Sequence, residues 1–226
     1  MAGWTYLALL ILPALVGAGC VLLLGAKHAC RLPTLYHFAY LAGGTARVAE
    51  TVVAAMIERE QLRVSDTGRL FRTPVAAVHP LEHEVAAATL APEGVTAAGI
   101  RVLLADSAAM RAISAELEAR GLVTPERLRR RVWWAVCAVY TLVLTLGVIS
   151  WKWPLLLPLV VAAMAGAAFL AKERKQPRPT LAGLKSYEMA RGDRSAVDGA
   201  AGLVAVGGLR RYPDARLAKA LQASST

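Results

Sequence analysis

The chain has 226 residues, is 56% hydrophobic, and carries a formal net charge of +10 with a pI of about 10. The apolar content exceeds the roughly 45–50% of ordinary globular chains, and the excess sits in three blocks rather than in repeats or low-complexity tracts. Three cysteines exclude a complete disulfide framework, while the basic balance admits nucleic acid, an anionic surface, or arginines placed beside apolar spans.

The first 26 residues carry no charge, and 4–26 is long enough to span a hydrocarbon core. A secretory leader fits poorly: there is no basic start, and the apolar run is too long. Two further uncharged runs, 132–150 with 19 residues and 154–171 with 18, are joined by Trp151-Lys152-Trp153. At 1.5 Å per residue each covers about 27–29 Å, and together they read as a transmembrane hairpin. Lys and Arg flank these runs almost wholly on one side, which predicts an N-out, C-in orientation. The expectation is a mainly α membrane protein with three transmembrane helices and a multi-pass place in the plasma (inner) membrane. Segments 27–131 and 172–226 then face the cytoplasm.

Within 27–131, the stretch 32–41 reads as a short helix with Tyr36, Phe38 and Tyr40. Gly43-Gly44 breaks it, and Thr45 caps a second helix over 46–60. Residues 62–64 and 69–71 alternate like two short strands around an Asp66-Thr67-Gly68 turn. Helix, turn, helix and hairpin is the order of a winged-helix unit. Its exposed reading face would hold Arg47, Glu50, Thr51, Glu58 and Glu60, which is too acidic to meet phosphates well. The segment has 14 basic and 11 acidic residues, a net +3. Nucleic acid is therefore a weak partner.

Residues 74–80 form a linker, followed by helices over 81–90, 96–105 and 107–120, with Ser107 as N-cap and Gly121 as C-terminal cap. The run 117–123 echoes 57–63, as a second helical unit would. His79-Pro80-Leu81-Glu82-His83 matches the H-x-x-E-H pattern of inverted zinc proteases. Pro80, however, belongs in a first helical turn, which moves His79 to the N-cap and off the face of His83. No catalytic residue, metal ligand or cofactor is therefore assigned. Beyond 172, a basic linker leads to weak helices over 180–191 and 195–209, and to a last one after Pro213-Asp214. Four glycines at 199, 202, 207 and 208 weaken that tail, so it needs a surface to fold on. The expected surface is the 32–60 helices.

Tyr40-Leu41-Ala42-Gly43-Gly44 with Arg47, then Pro80-Leu81-Glu82, then Val204-Ala205 with Gly208, and Pro213-Asp214 with Leu217-Ala218-Lys219-Ala220-Leu221, follow one another along the chain. In that order they resemble an uncharacterised membrane-protein family of high-GC Gram-positive bacteria. Glu60-Gln61 stands where that family has glycine, and the Gly/Cys-rich tail of many members is missing. The resemblance implies a topology and no catalytic residues. The candidate interaction residues are Tyr40, Gly43, Gly44, Arg47, Leu217 and Leu221. The expected partners are the lipid bilayer and either another protein or a second copy. The expected function is a non-enzymatic, membrane-anchored interaction module, with a membrane-tethered DNA-binding regulator as the alternative and a zinc hydrolase behind it.

Overall fold

Helix α1 spans Leu35–Glu58 and is the element on which the others pack. In the computed structural model the described residues are 30–125, most of 127–138, 179–193 and 198–223. The hairpin follows as β1 (Leu62–Val64) and β2 (Leu70–Arg72), antiparallel, with Arg63 opposite Phe71. Then come α2 (Pro80–Ala88), α3 (Ala97–Ala105), α4 (Ala108–Ala119), α5 (Leu181–Gly192) and α6 (Gly199–Gly207). A 3-10 turn at Leu209–Arg211 leads into α7 (Ala215–Ala223).

The glycine pair sets the shape of α1. Gly43 (φ −165°, ψ 22°) and Gly44 (φ 69°, ψ −158°) leave helical geometry and split α1 into two segments. Only glycine takes the second of these conformations cheaply. A straight helix would hold residues 36 and 59 about 35 Å apart. Yet the Tyr36 hydroxyl and the Arg59 guanidinium both donate to Oε1 of Glu82, at 2.5 and 2.8 Å. The two segments therefore fold back toward α2, and the core fills the angle between them. Val48, Val52, Leu70, Leu81, Ile100, Leu104, Leu117 and Leu122 are all completely buried there.

The stretches that echo each other, 57–63 and 117–123, both contain a helix ending of one type, shifted by one residue from the sequence echo. After α1, Gln61 donates to the Met56 carbonyl (2.8 Å) and Glu60 to Ile57 (3.0 Å). After α4, Leu122 donates to Leu117 (2.9 Å) and Gly121 to Glu118 (2.9 Å). Both are Schellman closures around a left-handed residue, Glu60 (φ 58°) in one and Gly121 (φ 70°) in the other. Each then enters an extended stretch. Leu62 begins β1, and Val123 forms a single antiparallel bridge with Pro179.

Among the described residues no helix is long and apolar enough to cross a membrane. This overturns the expected three-span architecture and the multi-pass membrane location. The longest described helix, α1, is bent in the middle and carries Arg47, Glu50 and Glu58. The runs 4–26 and 154–171, and 132–150 beyond Ala138, lie outside the described residues. The winged-helix-like assignment is corrected too: the fold is mostly helical with a small two-stranded sheet. The hairpin and the helix before it are present, but the outer face of that helix is covered by α6, and β2 is bridged to Val95.

Candidate functional site

The tail lies along α1, in one chain, and this α1–α6 seam is the most extensive contact between helices. Helix α6 runs antiparallel to the second segment of α1. At its N-terminus, the Glu58 carboxylate accepts from the amides of Ala200 (3.3 Å) and Ala201 (3.1 Å). Toward its C-terminus, Arg47 Nη1 donates to the Val204 carbonyl (3.5 Å). An anion at the positive end and a cation at the negative end both favour the helix dipole. Arg47, Glu50, Thr51, Ala54 and Glu58 recur at helical spacing and so share one face of α1. The middle of that strip is small, Thr51 and Ala54, and both are 0% exposed. The Thr51 hydroxyl donates to the Arg47 carbonyl (2.8 Å) within α1, so the strip presents no unpaired hydroxyl. Opposite lie Ala201, Gly202 and Ala205, all buried. Small residues on both sides let the backbones approach closely.

A charged junction closes the far end of the seam. Glu50 takes Arg101 Nη2 on one oxygen (2.6 Å), and Arg47 Nη1 (3.1 Å) and the Leu209 amide (3.3 Å) on the other. Two glycines make room for it. A Cβ at Gly43 would come to 3.0 Å of Arg47 Cβ and 3.1 Å of its Nε. A Cβ at Gly208, where φ is 79°, would collide with Arg47 Nη1 and reach 2.9 Å from Glu50 Oε2. The Gly43-Gly44…Arg47 segment and the Val204-Ala205…Gly208 segment, far apart in sequence, thus meet at one point. Nε of Arg47 and of Arg101 are buried there without a hydrogen-bond partner. A shallow depression of about 360 Å³, lined by Glu84, Ala87, Ala88, Leu103 and Ser107, includes none of these groups.

The expected site residues divide. Gly43, Gly44 and Arg47 belong to the junction. Tyr40 is buried toward α4, where burial raises its phenol pKa and a bond with Ser114 pulls the other way. Leu221 is buried and Leu217 half-buried on α7, which packs on the 3-10 turn. Glu50, Glu58 and Thr51, read from sequence as an exposed reading face, instead face α6. The Arg47-x-x-Glu50-Thr51-x-x-Ala54-x-x-x-Glu58 spacing was the available signal.

The H-x-x-E-H residues form a structural node. His79 is the N-cap of α2: its Nδ1 accepts from the Leu81 amide (3.2 Å), and Pro80 begins the helix. Glu82 is 0% exposed and returns the capping box, accepting from the amides of Val78 (3.0 Å) and His79 (3.2 Å) besides Tyr36 and Arg59. Burial pushes its carboxyl pKa up, but these bonds outweigh burial and hold it below 4.5. Burial lowers both His37 and His79, and the Glu116 bond to His37 Nε2 (3.0 Å) only partly offsets this for His37. His83 is exposed. Among the described residues no group of three His, Cys, Asp or Glu could hold a metal ion. Comparison with known family models, with curated proteins and with solved structures finds no match.

Proposed function

We infer that this chain is a non-enzymatic protein-interaction module, and that the second segment of α1 recognises a short helix of small residues. One observation carries the reading: the two ends of α6 are held by charges of opposite sign on a single α1 face, Glu58 and Arg47. Recognition of this kind reads a helix by its termini and its small side chains, not by a long apolar stripe. Supporting it, the most buried titratable groups near the seam and the α2 start are engaged within the chain. Glu82 has four donors, Glu50 three, and both ring nitrogens of His37 have partners.

The test is a titration of a synthetic peptide spanning 198–211 into the labelled full chain, followed by amide chemical shifts. The reading expects saturable shifts at 47–58, weakened by Arg47→Ala. Absence of shifts there, even in a Gly208→Ala chain whose own tail is loosened, would end it.

A further inference from the structure

We propose that residues 198–208 act as an autoinhibitory strap: α6 is the resident occupant of the α1 recognition face and leaves it by local opening, while Leu209 and Leu221 stay buried in the core. The proposal rests on the helix-recognition reading and adds its regulation.

Four observations converge. First, α6 has nine residues, and Gly199, Gly202 and Gly207 lie within it; a helix so short and glycine-rich is marginal without its seat. Second, what it buries is small, namely Ala201, Gly202, Val204 and Ala205. The helices beneath bury Met56, Leu81, Ile100, Leu104 and Leu117. A segment with few buried apolar atoms opens at lower cost than the global core. Third, its attachments to α1 run from charged side chains to backbone: Glu58 with the amides of Ala200 and Ala201, and Arg47 with the Val204 carbonyl. Glu58 is exposed. A carboxylate held at a helix terminus near the surface weakens with salt. Fourth, the strap's two ends demand glycine. A Cβ at Gly199 (φ 82°) would collide with the Glu58 carboxylate, and one at Gly208 with Arg47. The seat is therefore shaped closely around this occupant. When the strap lifts, the uncovered α1 face is the Arg47–Glu58 strip with its small centre. Any competing helix must wait for that opening, so the strap sets the accessible fraction of the site.

Residue-resolved hydrogen exchange on the full chain decides it. Amides of 202–207 are expected to exchange through a sub-global opening, at least roughly a hundredfold faster than the core amides of Val52, Ile100 and Leu117. Glu58→Gln should accelerate exchange in α6 by roughly tenfold and leave Val52 and Leu117 unchanged. Gly208→Ala should do the same from the other end, and raising salt should accelerate the wild type more than Glu58→Gln. Exchange of α6 at the rate of Val52 in all variants would overturn the strap. Fast exchange in α6 without peptide binding at 47–58 would retain the strap and remove the recognition reading.

Discussion

Glu82 and Glu58 perform the same chemistry in two regions of the molecule, and the contrast explains how the fold is divided. Each carboxylate accepts two backbone amides at a helix N-terminus: Val78 and His79 for Glu82, Ala200 and Ala201 for Glu58. Glu82 lies in the helix it caps, is completely buried, and is joined by Tyr36 and Arg59. Glu58 is exposed and caps a helix 142 residues away. A buried carboxylate with four donors welds the folded-back α1 to α2. An exposed one with two donors holds a helix that can leave. The same bond thus serves permanence in one place and exchange in the other, and burial makes the difference.

Removing Glu82 should have the largest effect. Glu82→Ala leaves a phenol, two amides and a guanidinium without their acceptor, at a cost of about 3 kcal/mol of global stability in denaturant unfolding. A loss no larger than about 1 kcal/mol would place Glu82 in the same class as Glu58 and erase the comparison.

Acid should loosen the Glu82 region. The folded-state pKa of Glu82 is depressed, so its contribution is present above 4.5 and is lost as pH falls through the folded value. His37 and His79 are also depressed, from 6.5, because burial favours their neutral form. Below 6.5 the unfolded chain binds protons that the folded chain resists, so stability falls in the same direction. Unfolding midpoints should therefore decline from pH 6.5 downward and more steeply below 4.5. A flat profile over that range would contradict the node.

Glu58→Ala should cost about 0.5–1 kcal/mol, seen as loosening of α6 with the core intact. The smallest effect has the opposite sign. Glu60 holds a left-handed conformation that Gly121 holds at the equivalent place after α4. Glu60→Gly should stabilise the chain by about 0.5–1 kcal/mol, read as a higher unfolding midpoint.

What was legible in the sequence follows from range. The α2 start was readable because His79, Pro80 and Glu82 act within one turn. The Ser107 cap and the Gly43-Gly44 break were readable for the same reason; Thr96, read as the first helical residue, is instead the cap of α3. Docking of the tail on α1 was legible in outline, since a glycine-rich helix needs a seat. Its chemistry was not: Glu58 with Ala200 and Arg47 with Val204 join residues more than a hundred positions apart, and an exposed-looking charge on a helix gives no sign of a distant helix end. Hydropathy led to the three-span expectation, but it says nothing about how α1 bends around Glu82 or what covers its polar face.

If the Gly43-Gly44…Arg47 segment and the tail segment ending at Gly208 meet as one recognition junction, substitutions on its two sides must couple. A double-mutant cycle between Arg47→Ala and Gly208→Ala tests this most directly. The Gly208 methyl collides with the Arg47 guanidinium, so part of its penalty should vanish once that guanidinium is gone, giving a coupling of about 1 kcal/mol. Penalties that add to within about 0.3 kcal/mol would mean that the two positions do not meet, and the junction would be wrong.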